Sequence, residues 1–273
     1  SYGVDLGGRR IIKKQKILQA IKDNIGRSKI IYFPNGVYNI NNTLEWKNSS
    51  GKWGAYLSFQ GQSRANTIFK LRNNTFTSTG APKAVIKTAD DATEEGNEAF
   101  RNSIQDITVN TGTGNTGAIG IDWLANNRGI LENVTIQSGD GQGLRGLSLM
   151  RVWQGPCLVK NVSISGFNYG IDVNESISSV TFEHITLSNQ KVIGLRNQDN
   201  VVTVRNLKST NNVPVIQNLD NRNGYGRRGL VTVLDGNFTG TSGASTKTAI
   251  VNESGLYVRN LVTSGYRAAI RHY

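Results

Sequence analysis

Two aspartates of this 273-residue chain stand in matching surroundings, Gly120-Ile121-Asp122 and Gly170-Ile171-Asp172, with Gly146-Leu147-Ser148 at the same place between them. A pair of carboxyl groups roughly 5 to 10 Å apart is what glycoside hydrolysis needs, one protonated and one ionised. A second constellation is Ser138-Gly139-Asp140-Gly141-Gln142-Gly143-Leu144-Arg145 with Met150-Arg151-Val152-Trp153-Gln154-Gly155-Pro156. Asp140 offers another carboxylate, Arg145 and Arg151 offer planar donors, and Trp153 offers a face for stacking. The glycines there permit close backbone approach. The catalytic candidates are therefore Asp122, Asp140 and Asp172, and the binding candidates are Arg145, Arg151, Trp153 and Glu183. Glu183 occupies the same phrase position as Glu132. Elimination is the competing chemistry: it needs a base such as Arg, Lys or Tyr, and often Ca²⁺ held by Asp or Glu. No cofactor is expected otherwise. The plain alternative for each candidate is an aspartate on an outward strand position, a glycine at a corner, or a tryptophan packed on a turn.

The elements that must position these residues show as a repeat. One phrase, apolar, any, Asn-like, apolar, Thr or Ser, apolar, reads Ile104-Gln-Asp106-Ile-Thr-Val109, Leu131-Glu-Asn133-Val-Thr-Ile136, Val159-Lys-Asn161-Val-Ser-Ile164 and Phe182-Glu-His184-Ile-Thr-Leu187. It returns at Asn206, Asp235 and Asn260, with spacings of 22 to 29 residues throughout. That period is too short for a propeller blade of roughly 40 residues and suits one coil of a solenoid. A second phrase carries an apolar residue after glycine, as in Gly120-Ile121, Gly146-Leu147, Gly170-Ile171 and Gly194-Leu195. Alternation at period two marks short strands, with Gly, Asn and Ser at the corners. The fold predicted is all-β, a right-handed parallel β-helix, in which equivalent residues of adjacent coils lie about 4.8 Å apart. Asp122 and Asp172 are then expected about 9.6 Å apart, two coils along one flank.

Upstream, Lys29–Tyr38, Ala55–Gly61, Thr67–Leu71 and Ala84–Lys87 read as irregular first coils. Ile17, Leu18, Ile21 and Ile25 recur at helical spacing, so a short amphipathic helix is expected to cap the solenoid's open end. The chain divides into a basic segment with this capping helix over 1–29 and the β-helix over 30–273. The sequence stops inside its last repeat, and a continuation of the chain, or a second β-helix domain or subunit, is expected to cover that end.

Composition sets further bounds. Lys and Arg number 31 against 19 Asp and Glu, a formal charge of +12, and Gly and Asn reach 31 each beside only four Pro. Asn and Asp accept left-handed backbone angles at corners, and this explains an Asn-rich, Pro-poor chain. No apolar run approaches the roughly 20 residues that span a bilayer, so no membrane partner is expected. No helix-turn-helix, zinc-finger or aromatic sheet signature accompanies the basic residues, so no nucleic acid is expected either. A single cysteine, Cys157, permits no internal disulfide.

The run Ile30-Ile-Tyr-Phe-Pro-Asn-Gly-Val-Tyr38 followed by Asn42-Thr43-Leu44 resembles the opening motif of the pectate-lyase-like β-helix superfamily. The stretches Phe100–Val109, Gly117–Trp123, Leu131–Ile136 and Gly166–Ile171 are similar to the N-terminal β-helix of glycoside hydrolase family 55. Asp5-Leu-Gly-Gly-Arg-Arg10 stands where the superfamily has an Asp-rich motif. The resemblance implies a secreted, polysaccharide-degrading glycoside hydrolase on a β-glucan-like polymer. It carries over no catalytic residue, because that family's acid sits on a second β-helix. A lyase on an acidic glycan, which the charge of +12 suits, and a non-catalytic binding β-helix are the alternatives.

Overall fold

The computed structural model describes residues 14–89, 98–174, 178–220 and 229–273. The basic residues Arg9, Arg10 and Lys13 and the Asp5–Arg10 segment lie outside them.

The helix α1 spans Lys14–Asn24. Ile17 and Ile21 from α1, and Ile25 just after it, are buried, and Leu18 packs beside them on the first coils. That apolar stripe at helical spacing closes the top of the core, as a solenoid requires.

Below the helix the chain winds as a right-handed parallel β-helix. Each rung has three faces. In the middle rungs the first and second faces are one long strand bent at a corner: Gly129–Gln137, Cys157–Ser165, Val180–Ser188 and Val201–Asn211. The third face is built of Ala118–Asp122, Arg145–Leu149, Tyr169–Val173 and Ile193–Asn197, in a sheet of nine described strands. Pairing is parallel and in register. Ile104, Leu131, Val159, Phe182, Val204 and Val233 form one inward column, and Ile86, Ile121, Leu147, Ile171, Leu195, Ile216 and Ile250 form another. All are buried. Removing these branched side chains from water is the main driving term, about 1.5–3 kcal/mol for each fully buried one.

The corner between the first and second faces is where the repeated Asn-like residue falls. Asp106, Asn133, Asn161, His184, Asn206, Asp235 and Asn260 all adopt φ between 52° and 58°. Left-handed backbone costs an ordinary L-residue roughly 1–2 kcal/mol, and Asn and Asp adopt it more readily. Their side chains also join across rungs: Asn161 donates to Asn133 Oδ1 at 3.0 Å, and Asn260 to Asp235 Oδ1 at 3.0 Å. On the third face, Gly120, Gly146 and Gly170 stack so closely that a Cβ would meet the next rung's carbonyl oxygen at 2.6 to 2.7 Å. The glycine before each Ile or Leu is therefore a packing requirement.

Candidate functional site

The third face collects the charged residues. Its outward column runs Lys87, Asp122, Ser148, Asp172, Arg196 and Gln217. Asp122 and Asp172 thus stand two rungs apart with Ser148 between, as the matching phrases predict. Their surroundings differ from the expected open flank. Asp172 is wholly buried, and four hydrogen bonds occupy its oxygens. Arg145 Nε donates to Oδ2 at 2.6 Å, Arg196 Nη2 to Oδ2 at 2.7 Å, Arg196 Nε to Oδ1 at 2.8 Å, and Gln198 Nε2 to Oδ1 at 3.0 Å. With its acceptor positions used and no surface exposed, Asp172 has no free edge for a sugar; it holds two guanidinium groups in place.

Arg196 is fixed on its other side by the Tyr169 ring, 3.9 Å from ring centroid to guanidinium. Burial alone would lower its pKa, but the hydrogen bonds and charge of Asp172, with Tyr169, outweigh that and raise it above the ordinary value. Arg196 is consequently a permanent cation and no proton acceptor.

Asp122 sits differently. Arg151, from the loop after Arg145–Leu149, reaches its Oδ1 at 3.3 Å and its backbone oxygen at 3.2 Å, and also donates to the Thr88 carbonyl. Both side chains keep 14% exposure, so Asp122 retains an accessible edge. Lys87 precedes Asp122 in the column, and its Nζ lies 5.7 Å from the Trp53 ring, over which Lys47 also stands at 4.3 Å. Lys47, Lys87, Arg151, Arg145 and Arg196 therefore make a basic band across successive rungs, with three carboxylates set into it: Asp122, Asp172 and Glu45, which lies 3.1 Å from Lys47 Nζ and in register with Lys87.

The other expected residues lie apart. Asp140 is exposed on the loop between the second and third faces, where it accepts from Gly114 N–H at 2.7 Å, Gln142 N–H at 2.9 Å and Ser138 Oγ at 3.0 Å. Desolvation pushes its carboxyl up, but the bonds from Gly114, Gln142 and Ser138 outweigh that and hold it below the usual carboxylate range. It is a turn acceptor, unsuited to a general acid, and does not join Arg145 and Arg151 in the single ligand-facing patch expected of their two segments. Glu183 lies on the first face, in the outward column Gln105, Glu132, Lys160, Glu183 and Arg205, 3.9 Å from Lys160 Nζ. The match with Glu132 holds, but on the wrong side of the solenoid to meet Asp122. Trp153 is half-buried in the Arg151–Pro156 loop with φ of 68°, its carbonyl accepting from Asn126 Nδ2 at 2.9 Å.

Lys87, Tyr169, Arg196 and Gln198 escaped the reading of the sequence. Arg196 follows Gly194-Leu195 as Asp172 follows Gly170-Ile171, so its place in the column was open to the same phrase comparison. Among the described residues there is no group of three or more His, Cys, Asp or Glu that could hold a metal ion, and no helix is long and apolar enough to cross a membrane.

A parallel β-helix with a helical cap and a charged third face defines a pectate-lyase-like protein. The chain belongs to the family described as rhamnogalacturonase A/epimerase, pectate lyase-like, whose model matches residues 2–224. No curated protein sequence matches it. Among solved structures, ORF18 of Geobacillus virus E2 is similar at 13% identity and a TM-score of 0.61, over 94% of this chain and 56% of that one. The catalytic domain of a GH87 α-1,3-glucanase in complex with nigerose follows at 13% identity and 0.57, over 96% and 54%. The GH87 α-1,3-glucanase catalytic unit from Streptomyces thermodiastaticus strain HF3-3 gives 11% and 0.53, over 99% and 66%. The chain spans between about half and two thirds of the length of these structures, and at such identities the likeness is one of fold.

Proposed function

We propose that the chain binds an acidic polysaccharide along the third face and cleaves it there by elimination. The observation that carries this reading is the row of cations along one face: Lys87 stands beside Asp122 in the column, Arg151 reaches Asp122, and Asp172, two rungs further on, holds Arg145 and Arg196. Fixed cations raise the local concentration of a uronate chain and stabilise the charge that builds on a sugar carboxylate when the adjacent C–H is broken. In this reading Asp122 takes the C5 proton. The C4–O bond then breaks, a C4–C5 double bond forms, and the departing oxygen is protonated from water. The family's name, which pairs a rhamnogalacturonase with an epimerase, supports a polysaccharide substrate. In this reading the protein works outside the cell, where it would meet such a polymer.

A second reading is hydrolysis of a neutral glucan, in the manner of the family 55 or GH87 glucanases. The 14% exposed side chain of Asp122 gives it one accessible carboxyl group. Against it stands the sealed Asp172, since hydrolysis calls for a second working carboxyl group.

The test incubates the protein with polygalacturonate, a β-1,3-glucan and an α-1,3-glucan. Ultraviolet absorbance of an unsaturated uronate supports elimination, provided Asp122→Asn abolishes it. New reducing ends from a glucan without that absorbance support hydrolysis, and no turnover on any of the three overturns both readings.

A further inference from the structure

A second groove opens around the corner from the third face, where each rung turns into the first face. Tyr56, Phe100, Arg101, Asn127, Arg128 and Pro156 line it, and its volume is about 430 Å³, within the usual range of small-ligand sites. The lining comes from successive rungs: Tyr56 N–H donates to the Phe100 carbonyl at 3.0 Å, and Arg101 N–H to the Asn126 carbonyl at 3.3 Å. Pro156 closes it from the end of the loop whose other end sends Arg151 to Asp122.

The backbone of this corner is strained. Tyr56, Arg101, Asn127 and Arg128 adopt φ of 59°, 58°, 46° and 82°. At the Asn corner the same conformation is taken by residues that tolerate it, but here three of the four are bulky, at roughly 1–2 kcal/mol each. Tyr56, Arg101 and Arg128 take equivalent places on three successive rungs, so the corner demands this angle of each and stacks their side chains in one column. Arg101 and Arg128 are exposed, and among the described residues no carboxylate pairs with either. Tyr56 and Phe100, half-buried and edge-to-face with centroids 6.2 Å apart, line the same groove.

Two guanidinium groups with no carboxylate partner among the described residues, sharing a groove with two aromatic rings, suit a ligand with carboxylate groups on a ring that has an apolar face. We propose that this groove is a second binding site, separate from the third face, for a uronate unit of an acidic saccharide. The choice of saccharide among carboxylate ligands rests on the function proposed above; the groove itself does not.

The experiment titrates the full chain by calorimetry with a galacturonate tetrasaccharide and with its neutral, carboxyl-reduced counterpart. The variants are Arg101→Gln/Arg128→Gln, Arg101→Gly/Arg128→Gly and, for the third face, Arg151→Gln. The wild type is expected to bind the acidic tetrasaccharide at two sites and the neutral one at neither. Both groove variants are expected to weaken one site about tenfold or more while sparing the other, and Arg151→Gln the reverse. The glycine pair should also melt at a temperature equal to or above the wild type's, since it relieves the strain while removing the cations. Unchanged affinity and stoichiometry in both groove variants overturns the proposal. Loss confined to the groove variants, with Arg151→Gln silent, upholds this site and removes the third-face reading instead.

Discussion

Arg196 grips Asp172 from the next rung with two hydrogen bonds, Nε to Oδ1 at 2.8 Å and Nη2 to Oδ2 at 2.7 Å, while its guanidinium rests on Tyr169. Asp172 has no exposed surface, and the side chains of Arg145 and Arg196 keep only 18% and 19%. Truncating the shared acceptor therefore leaves two largely desolvated cations facing each other. Asp172→Ala is expected to lose about 3–5 kcal/mol of stability, the usual cost of breaking a buried ion pair from one side. Urea unfolding measures it, and a loss below about 1 kcal/mol would show that water already screens the cluster.

At the corner of the first two faces, Asn161 holds φ at 52° and donates to Asn133 while accepting from Arg64 at 3.3 Å. A β-branched side chain does not fit that backbone. Asn161→Val is expected to destabilise by roughly 1–2 kcal/mol from conformation alone, and Asn161→Gly by less, because glycine takes the angle freely and loses only the ladder bonds. Thermal melts of the two variants rank them; a valine variant as stable as the glycine one would show that the corner carries no angular demand.

These corners were the most legible part of the molecule. Asp106 through Asn260 recur in an Asn-like type because a left-handed angle is demanded once per rung, and the glycines before Ile121, Leu147 and Ile171 recur because a Cβ would strike the next rung. Such constraints act on single residues and so leave a mark on the sequence. The site was legible only in register. That Asp122, Ser148 and Asp172 share a column followed from their phrases, but the burial of Asp172 depended on Arg145 and Arg196 folding over it from adjacent rungs. Long side chains have the reach to do this from several positions, and period-two alternation says only that a residue points outward. Glu183 and Asp140 misled for a related reason: one lies on another face, and the other is taken up by its own turn.

The Asp140 carboxyl supplies a pH test of that turn. The bonds from Gly114, Gln142 and Ser138 hold its pKa below the usual value in the folded state, so its ionised form stabilises the fold. That contribution is complete above the unfolded value near about 3.9 and is lost as the pH falls through the lower folded value. The group is exposed, so the effect is small. Urea midpoints of the wild type and Asp140→Asn are expected to differ at neutral pH and to converge in acid. A gap that does not change with pH would mean that the carboxylate's charge contributes nothing to the turn.

Cys157 opens a strand of the first face and is buried as part of the core. Burial pushes its thiol up to about 12. At pH 8 only about one thiol in ten thousand is then ionised, and the thiolate is the reactive form. A thiol reagent such as dithiobisnitrobenzoate is expected to leave the native protein unlabelled over hours and to modify one thiol at once in denaturant. Under native conditions the slow labelling that remains should be independent of reagent concentration once it is limited by opening of the core. Prompt labelling of the folded chain would mean that this rung admits solvent, and the column below it, Val180 and Val202, would then be exposed by the same opening.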